Sequence, residues 1–142
     1  MSDERRVREA NARFYEALNA LDVDAMDAVW ADDEGAVCVH PGHEAIIGYE
    51  RVRESWMLIF ASTGSMSVGV SEEFVTVAGD VAWVACTEVI SLMIDDELVS
   101  ASAHATNIFR RSGVTTDWRM VVHHASPVPT RIINEEWPDV IN

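Results

Sequence analysis

At Gly64 the hydrophobic pattern of this chain changes period. Before it, apolar residues recur every three or four positions; after it they alternate. A period near 3.6 marks a helix and a period of two marks a strand, so a helical amino half must pack on a carboxy-terminal sheet. Val7, Ala10, Phe14, Ala17, Leu18 and Leu21 predict a helix over residues 3–21. Asp22 or Asp24 can cap a second helix that ends at Trp30. A short strand over 36–40 closes at Pro41-Gly42, and a loop runs to Gly48. The stripe Val52, Trp56, Ile59 and Phe60 predicts a third helix over 49–61. Beyond Gly64, turns at Gly79-Asp80, Asp95-Asp96 and Ser112-Gly113 cut the chain into strands over 65–78, 81–94, 98–111 and 118–126. The first of these is expected to bend near Ser71-Glu72. The second is apolar on both faces, as a covered central strand would be. The expectation is an α+β fold with four long antiparallel strands and one short amino-terminal strand. Residues 128–142, with Pro129, Trp137 and Pro138, read as an extended tail.

The chain has 142 residues, the size of one domain, and at 49% hydrophobic it can build a core. Its net charge is −14, and all 10 basic residues are arginine. Such a charge repels nucleic acid and anionic membranes, so neither is expected as a partner. No apolar stretch is long enough to span a bilayer, and Ser2 to Arg8 lack the apolar run of a secretory signal. Cys38 and Cys86 each sit in an apolar strand and read as buried thiols of a cytoplasmic protein. His43 follows His40 by three residues, but the intervening Pro41-Gly42 loop supplies no four-ligand set, so no metal is expected. There is no glycine-rich phosphate loop and no nucleophile turn, so no cofactor is expected either.

Two strand ends carry unusual polar residues. The first strand ends in His40-Pro41-Gly42, and the last in His123-His124-Ala125-Ser126-Pro127. Imidazole both donates and accepts hydrogen bonds and titrates near neutral pH. On strand 98–111, Val99, Ala101, Ala103, Ala105, Asn107 and Phe109 share one face. The alanines leave room above the sheet, and an unpaired buried amide at Asn107 would cost about 1–3 kcal/mol, so it needs a partner or a ligand. The opposite face holds Ser100, Ser102, His104 and Thr106 and suits solvent or a dimer contact. On the last strand, Trp118, Met120, Val122, His124 and Ser126 alternate onto one face, which would turn His124 inward. Trp30, Trp56, Trp83 and Trp118 fit either a cavity wall or an ordinary core.

Ala31-Asp32-Asp33, His40-Pro41-Gly42, Gly48, Val52-Arg53-Glu54-Ser55-Trp56, Asn107-Ile108-Phe109-Arg110-Arg111 and the stretch from Trp118 to Pro127 follow one another in this order. Together they resemble the SnoaL-like family of the nuclear transport factor 2-like (NTF2-like) superfamily, related to ketosteroid isomerases and polyketide cyclases. The resemblance covers roughly residues 5–127. It implies an NTF2-like cone, in which three amino-terminal helices lean on a curved, mainly antiparallel sheet and enclose a pocket. It also implies a homodimer formed through the open side of the sheet. Phe14-Tyr15-Glu16-Ala17-Leu18 is similar to the first helix of the isomerases. Their carboxylate base before a proline corresponds to His40, and their oxyanion-stabilising acid to Asn107. Their helix tyrosine corresponds to Phe14, with Tyr15 one residue, about 100°, away. That departure argues against steroid isomerisation itself.

Three functions compete at this stage: proton-transfer chemistry on a small apolar carbonyl or cyclic compound, non-catalytic binding of such a ligand, and a dimerisation module with an incidental cavity. For the first, His40 would be the base and Asn107 the donor to the developing oxygen charge. Tyr15, Trp30, Trp56, His124 and Ser126 are the expected pocket residues.

Overall fold

A computed structural model of the chain describes residues 2–113 and 117–129. Most of the expected tail lies outside the described residues. Helix α1, Asp3–Asn19, starts where the Ser2 hydroxyl accepts a hydrogen bond from the backbone of Arg5. Asp22 caps α2, Val23–Val29, by accepting from the backbone N–H groups of Asp24 and Ala25. Helix α3 is Tyr49–Ser62. It is preceded by Gly48 at φ 93°, a conformation that favours glycine and lets the chain turn sharply out of the preceding strand.

The strands are β1, Val37–Val39; β2, Ile46–Ile47; β3, Met66–Ala78; β4, Val81–Ile94; β5, Glu97–Arg111; and β6, Trp118–Pro127. They form one six-stranded sheet in the order β2-β1-β6-β5-β4-β3. All pairings are antiparallel except β1 with β6. The three helices pack on one face of this curved sheet; the result is the α+β fold expected from the change of period, in the cone form that the family resemblance implied. β2 falls in a segment read as loop, because two residues are too few to show an alternation.

The core lies between the helices and the inner sheet face. Val7, Ala10, Phe14, Met26, Trp30, Val52, Trp56, Ala82, Val84, Phe109, Trp118 and Met120 are all buried there. The outer face is not covered in the single chain: Trp83 and Val89 on β4 are 38% and 42% exposed. The expectation of a central strand covered on both sides therefore holds for only one side of β4 within one chain.

Two irregularities reset the alternation. In β3 the register slips between Ser71 and Phe74, where Glu72 takes a φ of 54°. Val68 faces inward before the bulge, and Phe74 is exposed after it. In β6, Phe109 pairs with Met120 but Ile108 pairs with Val122, so Val121 is an extra residue. A bulge of one residue exchanges the two faces downstream of it. Trp118 and Met120 point inward as expected, whereas beyond Val121 the buried residues are His123 and Ala125. His124 and Ser126 are exposed on the outer face, opposite Thr106 and His104. The inward placement of His124 and Ser126 is thus corrected.

Inserting one alanine between Val122 and His123 adds a residue downstream of the bulge, which should shift the alternation by one, turn His124 inward and expel His123. That leaves Asn107 without its partner and breaks the fit of two later residues. We expect loss of several kcal/mol, about the range for a broken buried network, and loss of a cooperative urea transition. Retention of the wild-type midpoint would show that the inward facing of His123 is dispensable.

Candidate functional site

The polar groups that the sequence scatters along the chain meet on the inner face. Register rows place them. Cys38, His123, Asn107 and Val84 lie side by side across β1, β6, β5 and β4. One row further along, Ala125, Ala105 and Cys86 are neighbours, with His40 just past the end of β1. In the next row Ala103 lies beside Glu88. Ala103, Ala105 and Ala125 are therefore a low floor with His40 on one side and Cys86 and Glu88 on the other. Trp56 stands over the His40 side, its ring 4.6 Å from the His40 ring at 90°. Ile59 and Phe60 on α3, and Met66, Val70 and Ile90 on the sheet, are the partly buried apolar groups around this half of the core.

Asn107 is completely buried, and its amide is fully engaged. Its Nδ2 donates to Asn11 Oδ1 at 2.8 Å and to the Tyr15 hydroxyl at 3.0 Å. Its Oδ1 accepts from His123 Nδ1 at 2.6 Å. Tyr15 in turn donates to Glu88 Oε2 at 2.7 Å, and Asn11 donates to Glu73 Oε2 at 3.1 Å. The role expected of Asn107, direct donation to a ligand oxygen, meets amide hydrogens that are already committed to protein acceptors. Tyr15, although rotated from Phe14 along α1, also reaches the interior, because the buried face of α1 spans both residues. Phe14 packs edge-on against Tyr15 at 4.8 Å and lies 4.7 Å from the His123 ring.

His40 is held differently. Ser55 donates its hydroxyl hydrogen to the Val52 carbonyl at 2.7 Å, so its oxygen accepts from His40 Nε2 at 2.9 Å. That assigns the ring hydrogen to Nε2 and leaves Nδ1 as the basic nitrogen. Burial lowers the pKa of His40 to about 4, with the nearby His43 adding to the effect. Burial lowers that of His123 to about 3, helped by His40 and His124. Both imidazoles are neutral at pH 7. Burial raises the Glu88 carboxyl against the smaller, opposite effect of the Tyr15 hydrogen bond. It also raises the Tyr15 phenol well above its usual range, with Glu88 adding to it.

Of the expected site residues, His40, Trp56, Asn107 and Tyr15 come together. Trp30 is buried but lies near Tyr49 and α2, where its backbone bridges to Met120. His124 and Ser126 lie on the outer face. Reasoning from the sequence missed Asn11, Ser55, Glu88 and His123. Glu88 could have been found, because it continues the inward alternation Ala82, Val84, Cys86. Asn11 likewise sits between Ala10 and Phe14 on the buried stripe of α1. Among the described residues, no three His, Cys, Asp or Glu side chains gather as a metal site. No described helix is long and apolar enough to cross a membrane.

The fold and this interior define a class of small cone-shaped proteins, and the chain belongs to the SnoaL-like domain family, whose profile matches residues 7–131. It is 35% identical to a proposed dehydratase of the NTF2-like family from Streptomyces avermitilis, with a TM-score of 0.81 over 89% of this chain and 96% of that one. It is 32% identical to a proposed calcium/calmodulin-dependent protein kinase type II association domain from Thiobacillus denitrificans, with a TM-score of 0.71 over 84% and 93% of the two chains. Among curated proteins it is 25% identical over 122 residues to the F-box protein SKIP8 of Arabidopsis thaliana, matching 86% of this chain. The chain spans about half the length of that relative, 49%.

The histidine pKa values make stability depend on pH in a defined direction. Each ring binds a proton near pH 6.5 when unfolded and only near pH 3–4 when folded. Their contribution is therefore complete above about pH 6.5 and is lost as the pH falls toward 4, at about 1.4 kcal/mol per pH unit for each ring. Glu88, raised in the fold, acts oppositely and favours the folded state on the acid side of its own titration. The urea midpoint of wild type should fall between pH 6.5 and 4.5 with a slope larger by one proton than that of His40→Gln. Equal slopes would show that His40 is not buried as a neutral ring.

Proposed function

We propose that this chain binds a small, largely apolar carbonyl or cyclic compound inside the cone and acts on it by proton transfer, as an isomerase, cyclase or lyase that needs no cofactor. One observation carries this reading: two buried titratable side chains, His40 and Glu88, flank a floor of alanines. His40 Nδ1 is the proton acceptor. A base with a pKa of about 4 is weak but wholly unprotonated at neutral pH, like a carboxylate base. Glu88, raised by burial, is the complementary acid. Asn107 serves the site one step back, by holding Tyr15 and His123. The S. avermitilis relative, named for elimination of water, supports acid–base chemistry of this type. The expected test is a turnover screen of small cyclic and hydroxylated carbonyl compounds together with native mass spectrometry for a co-purified ligand. His40→Ala should lose about 10²–10⁴ in rate. Unchanged turnover would remove His40 from the chemistry, leaving binding alone.

A second reading concerns assembly. The outer sheet face presents Trp83 and Val89 beside Ser100, Ser102, His104 and Thr106. Phe74, turned outward by the β3 bulge, extends the apolar area. Two copies of the chain pair through this face, and the association-domain relative supports such self-assembly. Because each copy carries −14, screening should favour pairing. Light scattering at micromolar concentration and moderate salt should give a dimer mass, and Trp83→Glu a monomer mass. A monomeric wild type under these conditions would refute the interface.

A further inference from the structure

The donor–acceptor order of the buried network can be read from the Glu73 carboxylate. Glu73 is paired with Arg8 at 3.3 Å, and a carboxylate only accepts hydrogen bonds. Asn11 must then turn Nδ2 toward Glu73 and Oδ1 toward Asn107. Asn107 must in turn point Nδ2 at Asn11 and Oδ1 at His123. An amide oxygen cannot donate, so His123 Nδ1 carries the ring hydrogen. Tyr15 is consistent with this order, because Glu88 Oε2 can accept from it whether or not Oε1 carries a proton. Its hydroxyl hydrogen goes to Glu88, and its oxygen accepts from Asn107. A neutral imidazole has one N–H, so Nε2 of His123 is bare. No described residue donates to it.

Trp56 is an aromatic neighbour of His123, with 6.1 Å between the ring centroids. Its indole N–H is buried and has no acceptor among the described residues. Trp30 and Trp118 share that property, but no imidazole packs against either of them among the described residues. The buried indole N–H without an acceptor is costly, and the neighbouring imidazole offers an acceptor nitrogen without a donor. A hydroxyl satisfies both at once, because its oxygen accepts while its hydrogen is donated. We propose that Glu73 and Glu88, acting through Asn11, Tyr15 and Asn107, lock His123 as the Nδ1–H tautomer, and that Nε2 of His123 and the indole N–H of Trp56 together receive a hydroxyl group of the ligand. The inference rests on the pocket reading above and narrows its ligand to an alcohol or phenol. His123 and Trp56 are binding groups here. Asn11, Tyr15 and Asn107 are positioning residues.

The test uses ¹⁵N-labelled full chain and long-range ¹H–¹⁵N spectra, with the His123 signals assigned by their absence in His123→Gln. Phenol and anisole are the probes; they share a ring, but anisole has no hydroxyl hydrogen. Wild type should show a protonated Nδ1 and a bare Nε2. Phenol should shift Nε2 toward a hydrogen-bonded nitrogen, and anisole should not. Asn107→Leu should release the ring to a mixture of tautomers. Trp56→Phe should weaken phenol roughly fivefold to tenfold, the loss of one hydrogen bond, and leave toluene, which has no oxygen to accept from the indole, unchanged. A wild-type His123 with its hydrogen on Nε2 overturns the proposal without any ligand. Phenol and anisole that bind equally while Nε2 stays unmoved overturn it and leave the pocket reading standing. If neither probe moves any interior resonance, the pocket reading fails and this inference fails with it.

Discussion

A single buried amide sets the geometry of the interior. Asn107 sits in the middle of the inner sheet face with no access to solvent, and its three hydrogen bonds reach two residues of α1 and one of β6. Each bond left unmade there would cost about 1–3 kcal/mol. The seating of α1 on the sheet is therefore restricted to arrangements that bring Asn11 and Tyr15 over β5. Once α1 is seated, Phe14 packs against the rings of His123, Tyr15 and Trp56. The aromatic core is nondirectional in its own energetics; the amide gives it one orientation.

The two bulges serve the same end. One places Glu73 against α1, where it bonds Arg8 and Asn11, and the other turns His123 toward Asn107. Each adds residues to one strand and gives up ladder hydrogen bonds locally. In return, each carries a polar side chain to the inner face that a regular strand would have shown to solvent. The polar network thus extends from a half-exposed ion pair on β3 to a fully buried imidazole on β6.

The acidic surface leaves few cations to fasten the elements, and arginine is used at the junctions. Arg53 on α3 meets Asp27 on α2, which also accepts from Tyr49. Arg111 joins Asp3 of α1 to Asp80 in the β3–β4 turn and lies over the Trp118 ring at 5.1 Å. Arg110 reaches Asp33 before β1. Exposed pairs of this kind are individually weak. Their forked, multi-donor geometry fits contacts that must hold two elements at once, which a lysine does less well.

The order and type of the elements were legible from residues alone, because a period of 3.6 or two is a local property that hydrophobic burial imposes on any helix or strand. Asn107 was legible for a related reason: a polar group on an apolar face needs a partner whatever the fold. So was the meeting of His40 with Trp56, since the strand end and the helix stripe that carry them adjoin in sequence. The identity of the inward histidine was not legible. It depends on one extra residue, Val121, and the position of a bulge is decided by pairing with β5, 16 residues away in the case of the Asn107–His123 contact. The partners of Asn107 were not legible either, because Asn11 lies 96 residues from it and only the packing of α1 brings them together. Local pattern determines what each segment becomes; the tautomers, hydrogen-bond order and buried charges of the interior exist only once distant segments have chosen one register.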